Sequence, residues 1–219
     1  MNRKSINYYS PFEEKINVYS HVLGTVLAFT ALILFVFKAA KSGIVLDTIS
    51  NFIFSISMII LYSVSAKYHS ETNAKKRFRL KVFDHSAIYV LIAGTYTPYA
   101  LSVIKGPDGW ILFGIAWGLA LIGITLKIFF TGRFKIASTL MYVLMGWIIV
   151  FYIKPILAAI PEEGFTWLLA GGLSYTVGAL IYSIKKILLN HAIFHIFVLL
   201  GSICHFRLFT LDGVFTASI

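Results

Sequence analysis

The run Ile187-Leu188-Leu189-Asn190-His191-Ala192-Ile193-Phe194-His195 opens an apolar stretch that extends to Phe209. This stretch has the ~20 residues that an α-helix needs to cross the hydrocarbon core of a bilayer. His191 and His195 lie on one face of such a helix, because the helix turns once every ~3.6 residues. Ionisable side chains at this depth are costly and are candidates for a functional site. The pair alone fits either two ligands for one metal ion or two histidines hydrogen-bonded to neighbouring helices.

The composition is that of a membrane protein. Of the 219 residues, 58% are hydrophobic and 13% are charged, whereas a soluble domain is about 25% charged. The single cysteine, Cys204, cannot form an internal disulfide and argues against a thiolate metal site. The net charge of +10 does not predict binding to nucleic acid, because Lys and Arg mark the cytoplasmic side of membrane proteins.

The hydropathy pattern predicts an all-α integral membrane protein with seven transmembrane helices. A polar amino-terminal segment, 1–15, is cytoplasmic or interfacial and starts a helix near Pro11, and a single transmembrane domain occupies 16–219. Gly94 and Pro98 predict a kink, and Gly114 with Gly118 predicts a face for close helix packing. The predicted spans are 16–37, 48–69, 83–104, 110–130, 136–157, 165–184 and 187–209.

Basic residues fix the expected orientation. Only five of the nineteen Lys and Arg residues fall on the side that holds the first, third and fifth loops and the carboxyl terminus. The other fourteen accompany the amino terminus and the second, fourth and sixth loops, including the basic stretch 75–81 and the turn 131–135. The amino terminus is therefore expected in the cytoplasm and the carboxyl terminus outside. The five exceptions are Lys38, Lys41, Lys105, Lys154 and Arg207.

Polar side chains from three spans fall at this cytoplasmic side. His69 ends the second span, and Ser65 lies one turn earlier on the same face. Asp84 begins the third span, and His191 and His195 begin the seventh. Because neighbouring spans run antiparallel, these five residues are expected to converge near one leaflet.

This set of residues predicts a metal site. Three neutral imidazoles and one open position, occupied by water, are typical of catalytic zinc. The ion lowers the pKa of that water to near 7 and makes it a nucleophile. Asp84 could hold the water, take its proton as general base, or bind the metal directly. Ser65 could hydrogen-bond Asp84 or a substrate oxygen.

Each candidate also has a structural interpretation. Asp84 could be a plain helix N-cap, and His69 could be a histidine at the aqueous rim. His21 is expected to form a structural hydrogen bond, with a fourth metal ligand as the alternative. His85 is expected to point away from Asp84, since successive helical residues diverge by about 100°, and it has no predicted role.

At these positions the chain resembles the hemolysin III family, which is related to the progestin and adiponectin receptors and, more distantly, to alkaline ceramidases. The resemblance covers nearly the whole chain. It implies a seven-helix fold with zinc held by His69, His191 and His195, and Asp84 beside the metal-bound water. The motifs that carry it are Ser65-x-x-x-His69, Phe83-Asp84-His85, His191-x-x-x-His195, Glu14-Lys15-Ile16-Asn17, Ser20-His21-x-x-Gly24 and Gly94-Thr95-Tyr96-Thr97-Pro98.

Three functions compete at this point. The first is a zinc-dependent hydrolase of lipid amide or ester bonds in a bacterial plasma membrane, with membrane lipids as environment and substrate. The second is a non-enzymatic membrane-homeostasis protein with structural zinc. The third is the pore-forming cytolysin that the family name implies, for which the sequence offers no secretion signal and no amphipathic pore-forming hairpin.

Overall fold

The computed structural model describes residues 9–130, 135–211 and 214. This part of the chain is helical without strands, and seven of its helical segments are long and apolar enough to cross a membrane. The all-α, seven-span prediction is therefore confirmed. Residues 1–8 of the amino-terminal segment and most of the basic turn, 131–134, lie outside the described residues. The helices are α1 (Pro11–Ser42), α2 (Val45–Ser70), α3 (Ala74–Pro98), α4 (Gly106–Phe130), α5 (Lys135–Trp147), α6 (Ile153–Ala159), α7 (Glu162–Ser183) and α8 (Asn190–Thr210).

The first helix begins where the sequence predicts it. Pro11 occupies the first helical position, and Ser10 Oγ accepts a hydrogen bond from the backbone N–H of Glu13 at 3.2 Å. The helix then continues to Ser42 with no break between residues 15 and 16. The acidic first turn, with Glu13 and Glu14, therefore belongs to the same helix as the first membrane span.

The third helix begins nine residues earlier than predicted. Asn73 caps it, because its side chain accepts hydrogen bonds from the backbone N–H groups of Lys75 and Lys76. The basic stretch is thus the first part of α3 and not an open loop. Its charges differ in exposure, since Arg77 and Lys81 are buried whereas Lys75 and Lys76 are exposed.

Two spans are interrupted near prolines. After Pro98, α3 continues as a π-helix, Tyr99–Ile104, which ends at Lys105 with a φ of 59°. The helix that was predicted to kink near Pro98 thus changes from an α-helix to a π-helix there, because proline lacks the N–H that an α-helix requires. The fifth span consists of α5, a 3-10 segment over Ile148–Tyr152, and α6, which contains Pro155.

The glycine face predicted on α4 is wrong. A methyl group at Gly114 or Gly118 would meet nothing within 4 Å in the described structure. The packed face of α4 instead carries Ala116, Ala120 and Gly123, and a methyl group at Gly123 would overlap the Tyr89 ring. The small residues that pack closely therefore lie on a different side of α4 from the two predicted glycines.

The site is positioned mainly by α1, α2, α3 and α8. In the described part α1 packs on both α2 and α8, and α2 packs on α3. This arrangement brings the start of α1, the end of α2 and the start of α8 to one end of the helix bundle. Large apolar side chains cover much of the outside, as expected for helices surrounded by lipid.

Candidate metal centre

Three histidines from two helices meet through the same ring nitrogen. Nε2 of His191 lies 3.1 Å from Nε2 of His69 and 3.1 Å from Nε2 of His195. All three side chains are at most 4% exposed. The alternative that His69 is an ordinary rim histidine is therefore wrong, because tertiary packing of α1 and α8 covers the end of α2.

The start of α8 is fixed by contacts with two other helices. Leu189 has a left-handed conformation, with a φ of 57°, and α8 begins at the next residue. Asn190 Nδ2 donates to the carbonyl oxygen of Tyr182 on α7 at 2.9 Å. The backbone N–H of His191 donates to Glu13 Oε1 on α1 at 3.3 Å. A carboxylate thus satisfies a helix N-terminal N–H and helps to hold the histidine turn in place.

Glu14 positions His69 from the other side. Its Oε2 lies 2.6 Å from His69 Nδ1, and its Oε1 forms an ion pair with Arg77. Arg77 also donates to the carbonyl oxygens of Tyr68 and His69. A carboxylate on Nδ1 fixes the ring orientation and directs the lone pair of Nε2 toward the other two histidines.

Three residues that contact His69 had no role predicted from the sequence: Glu14, Asn17 and Arg77. Asn17 Nδ2 lies 3.4 Å from His69 Nδ1. A signal was nevertheless present, since Glu14, Asn17 and His21 have i, i+3 and i+7 spacing and form a polar stripe on one face of α1. Arg77 gave no such signal, because it lies among other basic residues.

The structural hydrogen bond predicted for His21 is wrong. Both of its ring nitrogens are buried and have no hydrogen-bond partner among the described residues. Its ring instead stacks on that of His195, with centroids 3.7 Å apart and planes inclined by 7°. Tyr9 stacks on His191 in the same way, at 4.5 Å. Both stacks restrict the orientation of the histidine rings.

Asp84 and Ser65 border a cavity next to this centre. Asp84 is buried in the third turn of α3, so the N-cap alternative is wrong. Its Oδ2 lies 3.2 Å from His85 Nδ1, so the prediction that His85 points away from Asp84 is wrong. Ser65 Oγ is buried and has no hydrogen-bond partner among the described residues.

The cavity has a volume of about 190 Å³ and a mostly apolar lining. One end of the cavity is bordered by His191, His195 and Asp84. The lining continues along α8 to His205, which lies ten residues, or about 15 Å, beyond His195. His205 Nδ1 lies 2.8 Å from the hydroxyl of Tyr99. His205 does not belong to the histidine cluster.

The three histidines fit a metal ion. A hydrogen bond between two facing imidazole nitrogens needs a proton on one nitrogen and a lone pair on the other. Three Nε2 atoms that face one another cannot all be paired in this way, whereas their three lone pairs can bind one cation. Two nitrogen ligands of a tetrahedral zinc ion lie about 3.3 Å apart, given Zn–N bonds of about 2.0 Å. The observed 3.1 Å separations are close to that value. One ligand atom from each histidine lies within 4.8 Å of the others.

Comparison with known proteins gives a consistent family match. The sequence profile of the family described as Haemolysin-III related matches residues 9–206. A Bacillus cereus protein named Hemolysin-3 is 45% identical over 190 residues, which cover 87% of this chain and 87% of that protein. The Hemolysin-3 homolog of Bacillus subtilis (strain 168) is 46% identical over 194 residues, which cover 89% of this chain and 91% of that protein. No solved structure matches the chain.

Proposed function

The chain belongs to the haemolysin-III-related family of multi-pass integral membrane proteins, and from this premise we propose that it is a zinc-dependent hydrolase of lipid amide or ester bonds. The observation that carries the proposal is the convergence of three buried imidazole nitrogens beside an apolar cavity. Three histidine ligands with one open coordination position are an arrangement found at catalytic zinc. When bound, it would supply a Lewis acid and an activated water.

The protein's own groups have distinct roles in this proposal. His69, His191 and His195 hold the metal, and Asp84 acts as the general base that accepts a proton from the attacking water. His85, 3.2 Å from the Asp84 carboxylate, keeps that carboxylate oriented. Ser65 Oγ, which borders the same cavity, donates a hydrogen bond to a substrate oxygen. Apolar cavity walls exclude bulk water, which strengthens each of these interactions.

The apolar cavity among the membrane-spanning helices favours a membrane lipid as the substrate. The cavity lies among membrane-spanning helices, and its lining is mostly apolar beyond the polar end at Asp84. A lipid chain would bury apolar surface along α8, at about 25 cal/mol per Å², while its amide or ester linkage lies near the histidines.

A lipid-hydrolysis screen tests the proposal. The purified protein would be incubated with short-chain and long-chain lipid esters and amides, and released fatty acid would be measured by mass spectrometry. We expect release that stops when zinc is removed by a chelator and returns when zinc is added. Release that is unaffected by the removal of all bound metal would contradict the proposal.

Lysis of membranes is a second candidate, because both Bacillus relatives carry hemolysin in their names. It predicts that purified protein added to dye-loaded liposomes causes leakage, and that the His191→Ala/His195→Ala variant causes the same leakage. No leakage at any protein concentration would exclude this candidate. Leakage that requires the histidines would connect lysis to the metal centre.

A further inference from the structure

Two buried lysines border the cavity beside Asp84. Lys81 on α3 is 2% exposed and Lys127 on α4 is 5% exposed. Both belong to the basic residues that predict the cytoplasmic side, and both line the cavity that reaches the histidine centre. Burying an ammonium group is costly, and an anionic group in the cavity would lower this cost for both lysines.

The two lysines and Asp84 line the same cavity. Lys81 precedes Asp84 by one helical turn, so it lies about 4.5 Å nearer the start of α3 on the same face. The Lys127 ammonium experiences the charges of both Lys81 and Asp84. It also donates to Ser138 Oγ at 2.7 Å and lies 5.7 Å from the centre of the Tyr142 ring.

The cavity lining carries an excess of positive charge. Histidines aside, its charged residues in the described part of the chain are these two lysines and one carboxylate. An anionic guest would complement this excess, whereas a cationic head group would be repelled. Ammonium groups bind phosphate as point charges.

We propose that Lys81 and Lys127 form a subsite for the phosphate of an anionic membrane lipid, with the acyl chain in the apolar part of the cavity. The proposal rests on the proposed hydrolase and names its substrate class. In a glycerophospholipid the phosphate is a few bonds from the acyl ester. If the phosphate binds at Lys81, the acyl ester would therefore lie one turn further along α3, beside Asp84.

Competition between two lipids of equal chain length tests the subsite. The full-length protein in a non-ionic detergent would receive an equimolar mixture of oleoyl lysophosphatidic acid and monooleoylglycerol, and native mass spectrometry would count the bound adducts. We expect a preference of about tenfold or more for the phosphate lipid, because a charge-assisted contact favours it over the neutral lipid. Lys81→Met/Lys127→Met should remove the preference, and Lys81→Arg/Lys127→Arg should keep most of it.

Lys75→Met/Lys76→Met is the matched control, because it removes the same charge from exposed positions on the same helix. This control should keep the preference. A preference that survives in Lys81→Met/Lys127→Met, or that falls equally in the control, would overturn the proposal. If the double variant does not fold, Lys81→Met and Lys127→Met should each lower the preference, and two unchanged single variants would overturn it.

Two further arms separate the subsite from other anion sites. His191→Ala/His195→Ala should keep the lipid preference, so failure of the hydrolase proposal and failure of the subsite are distinguishable. A preference lost in that variant and kept in the lysine variant would assign the anion to the metal centre instead. Inorganic phosphate, which lacks an acyl chain, should not displace the lipid, and equal competition would assign the site to free phosphate.

Discussion

The carboxylate of Glu14 and the imidazole of His69 lie 2.6 Å apart, and this contact ties the first turn of α1 to the end of α2. Arg77 holds the other carboxylate oxygen from α3. Three helices therefore determine the orientation of one predicted metal ligand. The orientation of His69 therefore depends on an acidic residue, Glu14, for which the sequence predicted no role.

Replacing Glu14 by Gln should weaken metal binding without removing it. Gln keeps the shape of the side chain but loses the charge that orients His69 Nδ1, and loss of such an outer contact lowers metal affinity by about 10–100-fold. Chelator competition on the purified protein would measure the affinity. Glu163→Gln is the control, since Glu163 is an exposed carboxylate paired with Arg207. Equal affinities in wild type and Glu14→Gln would contradict the positioning role.

Replacing Asp84 by Asn should separate metal binding from turnover. The variant keeps one zinc per chain, because the three histidines remain, but loses the proposed general base, which contributes about 10²–10⁴-fold. Metal content and lipid hydrolysis would be measured on the same preparation. Asp108→Asn, at an exposed position in the first turn of α4, should change neither. Undiminished hydrolysis in Asp84→Asn would exclude Asp84 as the base.

Two glycines on α4 should respond in opposite ways to a methyl group. Gly123→Ala would overlap the buried Tyr89 ring and should destabilise the protein by about 1–3 kcal/mol. Gly118→Ala meets nothing within 4 Å and should be neutral or stabilising by up to about 1 kcal/mol. Thermal unfolding followed by tryptophan fluorescence would measure both. A lower Tm for Gly118→Ala than for Gly123→Ala would contradict the packing of α3 against α4.

The orientation in the membrane remains a prediction from the basic residues. Alkaline phosphatase fused to the carboxyl terminus should be active, and green fluorescent protein fused there should be dark, because that end is expected outside. Green fluorescent protein at the amino terminus should be bright. A carboxyl-terminal fusion that is fluorescent in the cytoplasm would reverse the assignment.

The fold was predictable because each membrane span carries its own signal. About twenty apolar residues suffice to identify a span, whatever its neighbours are. The start of α3 was less predictable, because a polar segment from Ala74 onward belongs to the same helix as the apolar span that follows it. There the caps and tertiary contacts, and not hydropathy, decide where the helix begins.

The histidine cluster followed from spacing and antiparallel topology, but its surroundings did not. His21 stacks on His195, and Arg77 and Lys81 are buried, because helices packed from elsewhere in the chain cover them. Hydropathy assigns such residues to solvent or to local hydrogen bonds. A side chain whose partner lies on a distant helix can be identified only when the packing of both helices is known.

The zinc content of the purified protein tests the central claim most directly. Inductively coupled plasma mass spectrometry would be applied to wild type and to His191→Ala/His195→Ala, both purified after zinc is supplied during expression. We expect one zinc ion per chain in wild type and none in the variant, because His69 alone cannot retain the ion. Wild-type protein without zinc, or a variant that keeps it, would contradict the assignment of these histidines as a zinc site.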